Sequence, residues 1–203
     1  MKKKLFIALS VFVVLSVAFT TLVIATKEGG FGKSFLEIFN KAQNERKVIA
    51  SAGDCKIYDT EFDSYKLFYT EKTDEEIFEY LFKNKLIISE AKKAGITVSE
   101  EEVIKAVENN KKIFFESAKE DDPGYILLKE ICDGLNIKIE NYFNLDAIKD
   151  AYSISILKSK YYQYLLNNDK TNSLSKDGEN IFVENLKNEL YNKIKDDIEY
   201  YKN

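Results

Sequence analysis

Asn84-Lys-Leu-Ile-Ile-Ser-Glu-Ala-Lys-Lys-Ala-Gly-Ile-Thr-Val-Ser-Glu-Glu-Glu-Val103 holds the end of one helix and the start of the next, joined by a short apolar connection. Leu86, Ile87, Ala91 and Ala94 form an apolar face broken by Lys85, Glu90, Lys92 and Lys93. Gly95 suits the left-handed position just past a helix end, and the two lysines before it favour the negative end of the helix dipole. Ile96 and Val98 straddle Thr97 as anchors into a core. Ser99 with Glu102 spells a capping box, and Glu100 and Glu101 add negative charge to the positive first turn. The stretch therefore specifies two helices meeting at a sharp corner.

Working outward, the same signals recur. Thr73 with Glu76 makes a second capping box, opening a helix from Asp74 to about Ala94. The helix after Ser99 is expected to fade near Glu120, before the turn Asp121-Asp122-Pro123-Gly124. Tyr125 to Asp133 reads as helical and stops at Gly134, and Glu140-Asn141-Tyr142-Phe143 starts a long helix reaching about Asn168. Phe31 to Arg46 reads as a short amphipathic helix with Phe35, Ile38, Phe39 and Ala42 on one side. Val48 to Tyr58, two β-prone runs around Gly53-Asp54, is the one convincing strand region and suits a small hairpin. Asp59 can cap the helix that follows, whose apolar contacts are Phe62, Tyr65, Leu67 and Phe68. Residues 169–178 are polar and linker-like. Glu179 to Tyr201 closes the chain as an amphipathic helix with Ile181, Phe182, Leu186, Leu190, Ile194 and Ile198 on one stripe. The expected fold class is mainly α with one small β-hairpin.

Composition agrees. The chain has 203 residues, 45% hydrophobic and 32% charged, which describes a globular chain. A single proline and eight glycines point to long helices with few tight turns. Lys2, Lys3 and Lys4 precede an uncharged run from Leu5 to Thr26, long enough to span a bilayer of about 30 Å as a helix. Its length favours an uncleaved, single-pass anchor over a signal peptide. Val23 and Ala25, or Ser16 and Ala18, offer a cleavage site, so secretion after cleavage stays as the alternative. Either way the lysines remain cytoplasmic and the domain lies outside. The expected organisation is an anchor or signal over 1–26, a juxtamembrane helix over 27–46, and one helical domain over 47–203. Subtracting the three leading lysines takes the net charge from −4 to −7, which argues against nucleic acid as a partner.

Chemistry finds little purchase. Two cysteines, Cys55 and Cys132, are too few for a disulfide scaffold or a zinc site, and the pair reads either as one bridge or as two small thiols. Cys55 is not a lipoprotein cysteine, because it lies far past the apolar run and Asp54 precedes it. Histidine and tryptophan are absent. No nucleophile–base pair of the histidine kind can form, no Gly-rich phosphate loop occurs, and no metal or cofactor is implied. Glu100-Glu101-Glu102 is explained by the helix start alone.

Four of these motifs, in order, resemble the N-terminal chaperone domain of SurA-type chaperones and PrsA-type foldases. That family shows a hairpin with Val-Asn-Gly, then Ile-Thr-x-x-Glu-Phe, a Gly-Ile-x-Val corner, Leu-Gly-x-x-x-Glu-x-Tyr, and a long helix. This chain has Ala52-Gly53-Asp54, Ile57-Tyr58-Asp59-Thr60-Glu61-Phe62, the corner from Ala91 to Val103, and Leu135-Asn136-Ile137-Lys138-Ile139-Glu140-Asn141-Tyr142. Order and spacing agree from about Lys47 to Leu166. The chain departs at Asn136, where the family carries Gly, and at Lys138, where it carries a capping Ser or Thr. In the foldases a parvulin-type prolyl isomerase domain sits between the long helix and the closing helix. Here only Asp169 to Gly178 fills that interval, far short of the roughly hundred residues such a domain needs.

The resemblance implies a protein that binds unfolded or extended polypeptide; the missing isomerase domain and histidines make that binding non-enzymatic, and the N-terminal run makes the protein membrane-associated and extracytoplasmic. Its binding surface would combine apolar and aromatic groups with a polar rim. The candidates are Phe114, Phe115, Tyr142, Phe143, Tyr152, Tyr161, Tyr162 and Tyr164, since tyrosine joins an apolar ring to a wet hydroxyl. At helical spacing such rings are more often core than contact surface. Tyr161, Tyr162 and Tyr164 cannot all face one way on a helix, so at least one is expected at the surface. The competing function is an anchored helical adaptor or assembly factor with one dedicated envelope or secretion partner. Neither reading specifies an oligomeric state.

Overall fold

The computed structural model describes residues 31–168 and 176–201. Its helices are α1 (Phe31–Asn44), α2 (Asp59–Phe68), α3 (Asp74–Lys93), α4 (Glu100–Ser117), α5 (Pro123–Gly134), α6 (Ile139–Tyr142), α7 (Asp146–Asn168) and α8 (Lys176–Asn192). Among the described residues three short strands accompany them: β1 (Val48–Ala52), β2 (Cys55–Tyr58) and β3 (Glu199–Tyr200). The protein is mainly helical with a small sheet. The segment expected to be an anchor, Leu5 to Thr26, lies outside the described residues. Among the described residues no helix is long and apolar enough to cross a membrane.

The chain divides into two compact, interleaved units. One, here the sheet unit, takes the described parts of Ala42–Lys66, Glu71–Thr97 and Leu157–Asn203. The other, the helical unit, takes residues 31–41, Leu67–Thr70 and Val98–Ile156. Helix α7 contributes to both, changing unit between Ile156 and Leu157.

In the sheet unit, β1 and β2 form an antiparallel hairpin around Gly53, whose φ of +56° suits glycine. The register shifts between Val48 and Ala50, a bulge at Ile49. Asp59 secures the open end of the hairpin: its Oδ1 accepts N–H groups from Lys47 at 2.9 Å and Thr60 at 2.8 Å. The core joins Ile49, Ala50 and Ile57 to Phe62 of α2 and to Ile77, Leu81 and Phe82 of α3. Helix α8 packs against α3.

The end of the chain differs from the sequence-based expectation. The closing helix begins at Lys176, inside the expected linker, and stops at Asn192 rather than running to Tyr201. A 3-10 turn at Lys195–Asp197 follows, and β3 then pairs antiparallel with β1 through Ala50↔Tyr200 and Ser51↔Glu199. The hairpin is thus two strands of a three-stranded sheet with order β2-β1-β3. Two physical effects favour this ending. Asp196 and Asp197 would sit unfavourably at the negative end of a helix dipole, and β1 offers an unpaired edge. Ile194 and Ile198 pack on the core from the turn, whereas Ile181, at the start of the expected stripe, is 62% exposed.

The helical unit is built around Val103, Val107, Leu128, Cys132, Phe143, Tyr152 and Ile156. The Ser99–Glu102 capping box is complete: Ser99 Oγ accepts the Glu102 N–H at 3.2 Å, and Glu102 Oε2 accepts the Ser99 N–H at 2.9 Å. The expected long helix from Glu140 is interrupted, α6 ending at Tyr142 and α7 starting at Asp146. Asn144 and Asp146 are weak helix formers, and Phe143 turns inward to become 6% exposed. Helix α5 includes Gly134, where an added Cβ would lie 1.9 Å from Leu36 Cδ1; glycine there permits close approach of α1.

The left-handed residue after α5 is therefore Asn136, with φ +53°, rather than Gly134. Gly95, with φ +72°, plays the same part after α3. Both ends close as Schellman motifs. Ile96 N–H reaches Ala91 O at 3.0 Å and Ile137 N–H reaches Cys132 O at 2.9 Å. The two corners, Gly-Ile-Thr-Val and Asn-Ile-Lys-Ile, use one backbone solution twice.

Candidate functional site

Three helices of the helical unit each turn a stripe toward one cavity of about 500 Å³. From α4 come Asn110, Ile113, Phe114 and Ser117, spaced i, i+3, i+4, i+7. From α5 come Gly124, Leu127, Leu128 and Ile131 at the same spacing, and from α7 Ile148, Ala151 and Tyr152. Tyr142 and Phe143 line it from the break between α6 and α7, and Tyr125 and Asp122 from the start of α5.

Aromatic rings organise this wall. Phe114 and Tyr125 lie parallel within 3°, with centroids 6.0 Å apart. Phe114 also approaches Phe143 at 5.8 Å, and Tyr142 meets Phe143 edge-on at 5.7 Å. Burial pushes the Tyr142 and Tyr152 hydroxyls up to about 12, with Cys132 and Tyr152 adding to the effect on Tyr142. Both hydroxyls therefore stay protonated and neutral at physiological pH. Asp122 Oδ2 accepts the Lys119 N–H at 2.7 Å, holding the α4–α5 turn at the edge of the cavity.

Of the eight rings singled out in the sequence, Phe114, Tyr142, Phe143 and Tyr152 line this cavity together. Phe115 is 41% exposed beside it, 5.3 Å from Phe114 and 6.2 Å from Phe143. Tyr161, Tyr162 and Tyr164 belong instead to the sheet unit. Tyr161 is buried, and Tyr164, stacked on it at 6.5 Å, is 46% exposed. Tyr162 is half-buried, its hydroxyl pKa raised by burial and then by Glu184. Sequence reasoning missed Tyr125, Ile113 and the α5 stripe. The i, i+3, i+4, i+7 spacing in α4 and α5 was the available signal, but it reads equally as ordinary core.

Both cysteines are free thiols, Cys132 buried and Cys55 half-buried. Burial, then Asp133 and Glu140, push the Cys132 thiol up to about 11, so it is an inert apolar filler at neutral pH. In comparison with known proteins, no family model, no curated protein and no solved structure matches the chain. The likeness to the SurA and PrsA chaperone domain rests on the quoted residues alone.

Proposed function

We propose that the protein is a membrane-associated, extracytoplasmic, chaperone-like protein that holds unfolded or extended polypeptide without catalysis. The observation that carries this is the aromatic-lined cavity of the helical unit, whose edge exposes Ile113 and Phe115. Exposed apolar side chains beside a concave apolar chamber suit a transient apolar guest. Phe and Tyr rings provide large contact area with few torsions to freeze, which tolerates different guests. The order of motifs from Lys47 to Leu166 and the apolar run after Lys4 support the chaperone class and the compartment.

The test is suppression of aggregation of several unrelated unfolded proteins by the full-length chain. Holding predicts a yield that rises with protein concentration up to stoichiometry. It also predicts no acceleration of X–Pro isomerisation beyond the uncatalysed tens of seconds. Failure with every client, alongside tight binding to a single envelope protein, would make it a dedicated adaptor. Turnover in a proline-isomerase assay would overturn the non-catalytic reading.

A further inference from the structure

A second, smaller depression of about 380 Å³ adjoins the apolar chamber, and the Tyr125 ring belongs to both. It is lined by Glu120, Ile126, Lys129, Glu130 and Asp133 besides Tyr125. Three carboxylates face a single lysine, so the depression carries an excess of negative charge. On the chamber side of Tyr125, Asp122 adds a fourth carboxylate. Ile126 is exposed, which leaves an apolar floor between the charges.

We propose that this combined site selects a polypeptide segment in which an apolar or aromatic side chain is followed closely by a lysine or arginine. The inference rests on the holding function proposed above and names its preferred client. The apolar group enters the chamber and stacks among Phe114, Tyr125 and Phe143. The cationic side chain crosses Tyr125 and places its charge among Glu120, Glu130 and Asp133. Its methylene stem lies on the ring and on Ile126, an arrangement that suits long cationic side chains. A segment with acidic flanks would meet like charge and be rejected, so the selection works by repulsion as well as attraction.

The test uses the full-length chain in detergent and three fluorescein-labelled peptides with one Phe-Leu-Phe centre, flanked by lysines, serines or glutamates. Fluorescence anisotropy at low salt should show the lysine-flanked peptide binding about tenfold more tightly than the glutamate-flanked one, the serine peptide falling between. Raising the salt to about 0.5 M should shrink that ratio, because exposed charges are screened within a few ångströms. The triple variant Glu120→Gln, Glu130→Gln, Asp133→Asn should lose the preference and still bind the serine peptide. Equal binding of all three peptides by the unaltered chain overturns the charge selection and leaves the holding function standing. Binding of none of them overturns both. A dimer of the chain that no peptide displaces would assign the chamber to a second copy and also overturn the proposal.

Discussion

The two units spend their apolar residues differently. In the sheet unit, Phe82 and Ile57 are fully buried, and the hairpin, α2, α3 and the returning chain end close around them. In the helical unit, Leu128, Phe143 and Tyr152 serve the core and a cavity wall at once. A strand can be covered on its edge by another strand, as β3 covers β1. Packed helices leave space wherever their stripes do not interdigitate, as between α4, α5 and α7. Stability and binding should accordingly separate by unit.

The largest expected effect is in the sheet unit. Phe82→Ala removes a fully buried ring and should cost about 3–5 kcal/mol in urea unfolding. Phe114→Ala, at a wall already facing empty space, should cost about 1 kcal/mol and reduce peptide binding about tenfold. If Phe114→Ala proves as destabilising as Phe82→Ala, the chamber is core and the distinction fails.

Ending the chain after Ile198 sharpens the comparison further. It removes β3 and the 2.7 Å hydrogen bond between the Ser51 and Tyr201 hydroxyls. A loss of about 2 kcal/mol is expected, with faster amide exchange at Ser51. Peptide binding by the helical unit should not change.

Lys158 gives a pH-dependent test. Burial, then repulsion from Lys187, pull its amine down to about 8, although Asn84 Oδ1 accepts a hydrogen bond from it at 3.1 Å. Below pH 8 the amine is protonated both folded and unfolded, and folding bears the full cost of the buried charge. Between about 8 and 10.5 the unfolded chain binds the extra proton, so this group's contribution becomes less unfavourable as pH rises. Lys158→Met should therefore stabilise the protein by about 1–2 kcal/mol at pH 7. That advantage should fade above pH 8, and a constant advantage from pH 7 to 10 would refute the assignment.

The smallest effects belong to the two corners. Gly95→Ala forces a Cβ into the left-handed region and should cost about 1 kcal/mol. Asn136→Gly should stabilise by a few tenths of a kcal/mol, since asparagine tolerates that region less well than glycine. Thermal unfolding of both variants checks the pair.

Much of this architecture is local and was legible in the chain. Both capping boxes, the turn at Gly53 and the left-handed Gly95 depend on residues within a few positions of one another. Their hydrogen bonds close before any distant contact forms. The fates of Gly134 and Asn136 were harder to read, because either residue suits a left-handed position; the close approach of Leu36 accounts for the glycine inside the helix. The chamber was half legible. Four of its rings were named, but the sequence placed Tyr161, Tyr162 and Tyr164 beside them and omitted Tyr125.

What the sequence determined by itself is the mainly helical class, both capping boxes, the hairpin turn at Gly53 and the left-handed Gly95, because these follow from short-range geometry and periodicity. What only the tertiary structure decided is the pairing of residues 199–200 with β1, the burial of Phe143 in the helical unit's core, and which stripes stop short of meeting. Each depends on partners more than a hundred residues away or on the volume left between helices, and neither quantity has a signature in local sequence.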